Sequence, residues 1–201
     1  MDGFELCGKL KSEEETSHIP VILLTVQSAE KQKVKGIKLG ADAYLPKPFN
    51  SEELSARVSN LLKRQQKLRE QLRRQILLEP EDSNVMSLDE KFLVRVKQEV
   101  EKNLSDWKLD ANVLSDMVGI SRIQLYRKLK GLTGQTVHEF IRTIRLRRAV
   151  QLLEQRKMKI TEIAYHVGFN DLNYFTRCFR KEYGSAPSEY LSSLKSPASQ
   201  K

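Results

Sequence analysis

Two stretches of the chain repeat one another, and a repeat of this kind leaves few folds open. LSDMVGISRIQLYRKLKGLTGQTVHEF (114–140) aligns with ITEIAYHVGFNDLNYFTRCFRKEYGSAPSEY (160–190), with Gly119 falling on Gly168 at an offset of 49. After one inserted residue, Gly134 falls on Gly184 and Phe140 on Tyr190. Each copy reads as a short helix, a glycine turn, a capping residue (Ser121 or Asn170), a second helix and a closing glycine. Glycine takes up a left-handed turn without a Cβ penalty, so each copy is predicted to be a helix-turn-helix. Everything from Leu88 onward has helical periodicity, over 88–103, 110–118, 121–130, 136–154, 160–167, 171–183 and a short piece near 187–194. Val137 stands where the second copy has Pro187, a residue suited to the first helical turn, so helix 136–154 is expected to begin less sharply. Residues 196–201 read as a disordered tail.

Charge separates the two halves. Residues 1–87 carry 14 Lys and Arg against 13 Asp and Glu, whereas residues 88–195 carry 20 against 13, so the net charge of +9 sits almost wholly in the C-terminal half. Between 121 and 159 there are eleven Lys and Arg against only Glu139 and Glu154. Such an excess suits a polyanion, nucleic acid or an anionic membrane surface; a merely solvated basic surface is the bland alternative. A membrane-surface helix needs exposed aromatics, and here they fall on faces that the repeat assigns to the core. Paired helix-turn-helix units can place their second helices in successive major grooves, about 34 Å apart on one face of B-DNA. On helix 121–130, Leu125 and Leu129 share a core face, leaving Arg122, Ile123, Tyr126 and Arg127 outward, with Tyr126 fitting core or contact equally. On helix 171–183, Phe175 and Phe179 are core and Leu172, Asn173, Thr176 and Arg177 face outward.

The N-terminal half alternates element types. An amphipathic helix over 3–11 precedes VILLT, a strand expected to be covered on both faces, then a helix from about Ser28 to Leu39 ended by Gly40. DAYL forms a second strand, Lys47 and Pro48 a turn, and Ser51 opens a long helix. This order predicts an α/β unit with parallel strands. In the long helix Leu54, Val58, Leu61, Gln65, Leu68 and Leu72 have coiled-coil spacing, which fits a dimerising coil or an exposed linker helix. Pro80 breaks it. The expected divisions are 1–57, a linker 58–87, an all-helical domain 88–195 and the tail.

RLRRAVQLLEQ followed by ITEIAYHVGFNDLNYFTRCFRKEYGSAPSEY makes residues 88–194 resemble the DNA-binding domain of AraC-type transcription regulators. The resemblance implies that the outward sets read bases: Arg122, Ile123, Tyr126 and Arg127 in one unit, and Leu172, Asn173, Thr176 and Arg177 in the other. The chemistry suits this, with arginine forking onto guanine, asparagine onto adenine and Ile123 onto a thymine methyl. Lys128, Lys130, Arg180 and Lys181 are expected to meet phosphates. Arg145 fits a structural ion pair as well as a contact.

MDGFELCGKLK with HIPVILLTVQSAEKQKVKGIKLGADAYLPKPF resembles the second half of a response-regulator receiver domain. That resemblance makes Thr25, Tyr44 and Lys47 the remnant of a phosphoryl-binding site, and Lys47–Pro48 a candidate cis bond. It places the phosphoacceptor aspartate upstream of Met1, so Asp2 is not the acceptor. With strands missing, residues 1–50 are expected to be poorly ordered alone or to pair with another chain. The fold class is thus mainly α: an all-helical double helix-turn-helix domain, preceded by an incomplete α/β, flavodoxin-like receiver half and a long helical linker. The order resembles the C-terminal end of hybrid two-component regulators. Expected partners are double-stranded promoter DNA, a second copy through the linker helix, and RNA polymerase, with no membrane contact and a cytoplasmic location.

An enzyme is not expected, any kinase activity belonging to a longer parent chain. His18, His138 and His166 are scattered without metal-ligand spacing, and no phosphate loop or nucleophile elbow occurs, so neither metal nor cofactor is expected. Cys7 and Cys178 read as unbridged thiols in a reducing compartment.

Overall fold

The computed structural model describes residues 1–26, 34, 36–78 and 87–193; the first half of the helix expected from Ser28, the break at Pro80 and the tail lie outside them. The chain divides into two compact units, one made of Met1–Arg95 with Ile123–Gly134, the other of Val96–Arg122 with Gln135–Lys201. Most of one helix of the first repeat, Ile123–Gly134, falls in the same unit as the N-terminal segment.

In the first unit, α1 (Gly3–Ser12) is set by Asp2, whose carboxylate accepts the Phe4 and Glu5 N–H groups while Glu5 reaches back to the Asp2 N–H, a reciprocal capping box. β1 (Ile22–Thr25) and β2 (Ala43–Pro46) pair in parallel, Ile22 opposite Ala43 and Thr25 opposite Pro46. Cys7 and Leu45 are fully buried here. Lys11 ties the loops together, its ammonium 2.7 Å from Asp42, which also accepts the Val21 N–H. The strand expected to be covered on both faces is covered on one side only: Leu24 is exposed, and β1 pairs with β2 alone among the described residues.

α2 (Ser51–Leu78) is continuous across the described part of the expected linker, up to Leu78. Its Leu61, Gln65, Leu68 and Leu72 line a cavity of about 250 Å³ within this unit, with Lys11, His18 and Arg69 on its walls. Gln65 donates to the His18 carbonyl and Leu72 is buried. Much of the coiled-coil face is therefore turned toward the chain's own residues. Val58 and Leu62 remain exposed.

α3 (Leu88–Lys102) opens the helical part, followed by α4 (Ala111–Val118), α5 (Arg122–Thr133), α6 (Val137–Gln155), α7 (Ile160–His166), α8 (Leu172–Tyr183) and α9 (Pro187–Ser193). α6 begins sharply despite Val137, because Thr136 and Glu139 form a capping box. In the second unit α6 contributes Leu146, Ala149 and Leu153 to a core completed by Ile163 and Phe169 and by Phe175 and Phe179 of α8. Phe179 meets Tyr183 and Tyr190 at ring distances of 4.7 and 5.6 Å. Arg145, left open between two roles by sequence, is a buried tie here: its guanidinium donates to the Asp106 carbonyl, and burial pushes its pKa down.

Candidate nucleic-acid interface

Both expected turns form on glycine. Gly119 ends α4 at φ 77° and Gly168 follows α7 at φ 81°, left-handed values that a side chain resists. α4 starts on Asp110, which accepts the Asn112 and Val113 N–H groups, so its pKa is held below the carboxylate range. α5 starts directly after Ser121. α8 is capped by Asp171, whose carboxylate accepts the Tyr174 N–H; the cap lies one residue past the Asn170 expected from the repeat.

These starts fix which side of each helix meets solvent. On α5, Leu125 and Leu129 are fully buried, while Arg122, Ile123, Tyr126 and Arg127 are exposed. Tyr126, open between core and contact in the sequence, is 47% exposed and so lies on the outward side. On α8, Asn173 and Arg177 are exposed opposite buried Phe175 and Phe179. Leu172 departs from expectation: it is half-buried and packs against the aromatic core, since it falls near the Phe175 side of the helix. Thr176 is also half-buried, and its hydroxyl donates to the Leu172 carbonyl one turn back. Arg127 and Arg177 make no ion pair among the described residues.

Of the cations expected to face phosphate, Lys130, Arg180 and Lys181 are exposed. Lys130 donates to the Gly134 carbonyl at 2.7 Å, and Arg180 lies 3.9 Å from Glu189 in an exposed pair that contributes little. Lys128 is different. It is 2% exposed, with its ammonium 3.1 Å from Asp89, donating to the Glu14 carbonyl and lying over the Phe92 ring. A buried ammonium needs such partners, and one that has them is not available to a phosphate. Sequence gave no hint of this site, because Glu14 and Asp89 approach Lys128 from far along the chain.

Of the three residues expected in the receiver remnant, Thr25 and Lys47 meet at the strand ends. The Lys47 N–H donates to the Thr25 carbonyl at 2.6 Å, which sets the exposed Lys47 beside the end of β1, and the Lys47–Pro48 bond is cis. Tyr44 sits half-buried opposite Leu23 in the ladder. No group of residues that could hold a metal ion occurs among the described residues, and no described helix is long and apolar enough to cross a membrane. Cys7 and Cys178 are unbridged.

His18 lies in the first unit with its Nδ1 buried and without a hydrogen-bond partner among the described residues. Burial pushes its pKa below the ordinary 6.5, opposed by Asp89 and reinforced by Lys128, Arg69 and Lys11. The folded chain therefore favours the neutral ring. The stability it contributes is present above pH 6.5 and is lost as pH falls below that value. Thermal unfolding is expected at a lower midpoint at pH 5.5 than at pH 7.5, with the difference reduced in His18→Gln; an unchanged difference in the variant would assign the pH effect elsewhere.

Residues 1–59 match the response regulator receiver domain family, and residues 114–193 match the helix-turn-helix domain family. The chain is 40% identical over 190 residues to Histidine kinase P4 of Formosa agariphila, covering 94% of this chain and 14% of that protein. It is 37% identical over 153 residues to the transcriptional regulatory protein SpaR of Bacillus subtilis, covering 72% of this chain and 64% of that one. A transcriptional regulator structure from Chromobacterium violaceum, of the AraC-type DNA-binding domain-containing proteins, aligns with a TM-score of 0.50 at 28% identity, over 54% of this chain and 96% of that one. The chain thus carries a response regulator receiver segment followed by a helix-turn-helix DNA-binding domain. That second domain is of the AraC type, and the chain spans less than two thirds of either relative's own length.

Proposed function

We propose that this chain is the output end of a hybrid two-component regulator, a cytoplasmic transcription regulator that recognises promoter DNA by sequence. The observation that carries the reading is the pair of glycine-turned helices, α5 and α8, each with core residues on one side and, on the other, an exposed arginine in no ion pair among the described residues. Arg122, Ile123, Tyr126 and Arg127 read one stretch of bases; Asn173 and Arg177 read the other, with Thr176 and Leu172 at its margin. Lys130, Arg180 and Lys181 meet phosphates and set the register. Thr25, Tyr44 and Lys47 belong to the phosphoryl site that controls this output, and any kinase activity would belong to a longer parent chain. Selection from random duplex DNA is expected to enrich two short elements about one helical turn apart. Enrichment of no sequence would remove the reading.

A second reading, self-association through α2 with DNA binding secondary, rests on the exposed Val58 and Leu62. Sedimentation of the chain is expected to show a dimer that Leu62→Lys weakens; a monomer at all concentrations removes it. RNA polymerase is a further partner of a bound promoter complex under the first reading.

A further inference from the structure

Lys128 sits between the exposed Arg127 and the buried Leu129 on α5, and its burial is specific. Its Nζ lies 3.1 Å from the Asp89 carboxylate, 3.4 Å from Ser17 Oγ and 4.8 Å from the Phe92 ring centre, and it donates to the Glu14 carbonyl. Ser17 in turn donates to Asp89 at 2.7 Å, and Arg95 holds the Glu14 carboxylate at 3.0 Å through both oxygens. One turn further along, Arg69 of α2 donates to the Gly131 carbonyl, and the His18 ring packs so closely on Gly131 that a Cβ there would collide with it. The receiver segment, α2 and the start of α3 therefore hold one side of α5 by a buried charge and a glycine contact, and leave Arg122, Ile123, Tyr126 and Arg127 open. A rotation of α5 that moved Arg127 inward would draw Lys128 away from Asp89.

We propose that Lys128 is a positioning residue of the DNA interface, fastening α5 to the receiver segment so that changes in that segment reach DNA through the setting of this helix. This rests on the reading of DNA by α5 given above. It makes the Glu14–His18 loop a docking site for the recognition helix, and it gives opposite expectations from a phosphate contact. Removing the negative charge of Asp89 should strengthen the binding of a polyanion by Coulomb attraction alone; loss of the fastening should weaken it.

The test uses the full chain, its selected DNA site, and the variants Lys128→Met, Asp89→Asn and Gly131→Ala. The last adds a methyl against His18 and raises helix propensity, so fraying of α5 cannot explain its effect. Each variant is expected to weaken specific binding about tenfold, and to flatten preference at the bases under α5 while those under α8 stay unchanged. The slope of log affinity against log salt should not move, and Lys128→Met combined with Asp89→Asn should be no worse than either alone. A slope shallower by about 0.9 in Lys128→Met, with tighter binding in Asp89→Asn, would make Lys128 a phosphate contact and overturn the proposal. Unaltered base preference with only a lower unfolding midpoint would reduce it to a structural pair. If the unaltered chain selects no sequence, the DNA reading falls and this inference with it; if it selects one and the variants match it, this inference alone falls.

Discussion

Gly168→Ala is expected to destabilise the chain by about 2–5 kcal/mol, against about 1–2 kcal/mol for Gly119→Ala. Both glycines hold left-handed backbone, so both substitutions bear the conformational cost of a Cβ there. They differ in their surroundings. A Cβ at Gly168 would collide with the Leu104 carbonyl oxygen and lie 2.9 Å from the guanidinium carbon of Arg145, whereas nothing lies within 4 Å of one at Gly119. Backbone cannot move aside as a flexible side chain can, and Arg145 is itself held by Asp106. The larger cost is a sizeable part of the 5–15 kcal/mol typical of a whole domain. Urea titration of the two variants measures the difference; equal shifts in midpoint would show that the tight approach at Gly168 carries no weight.

The second large effect is on binding. Arg127→Ala and Arg177→Ala are each expected to lower affinity for the selected site by about 1–3 kcal/mol and to relax preference at particular bases. Both side chains are exposed and without an ion pair among the described residues, so their guanidinium groups are available to a base edge. Replacement of both need not be additive if the two helices bind one duplex together. Titration against the selected site and single-base variants of it separates the roles: base-specific loss marks a reader, and equal weakening on every sequence reassigns that arginine to phosphate.

Much of this was legible because local rules and global packing agree. The repeat located both turns, since a glycine between two amphipathic runs has few other uses, and Leu125, Leu129, Phe175 and Phe179 were placed in the core by spacing alone. Where sequence reasoning fell short, the competing physics can be named. Val137 suggested a loose start for α6, but the Thr136 and Glu139 box, itself a readable pattern of threonine followed three residues later by glutamate, outweighs a missing proline. Asp171 replaced Asn170 as a cap because the backbone turns one residue later than the repeat implied. Leu172 sits at the border of the outward arc, and its apolar side chain goes to the aromatic core.

Lys128 was beyond reach of any local rule. Helical spacing puts it beside Leu125 and Leu129, yet a lysine at such a position is normally solvated, and only Glu14, Ser17 and Asp89 make its burial tenable. The coiled-coil spacing in α2 was likewise correct as a pattern and incomplete as an interpretation. Leu61, Gln65, Leu68 and Leu72 do share a face, and that face lines a cavity within the chain's own first unit.

Whether this chain distinguishes one DNA sequence from another is measured by its affinity for the selected duplex beside a scrambled duplex of equal length at physiological salt. The expected ratio is about a thousandfold or more, with both affinities falling steeply as salt is raised. Equal affinity for the two duplexes, or binding indifferent to salt, would contradict it.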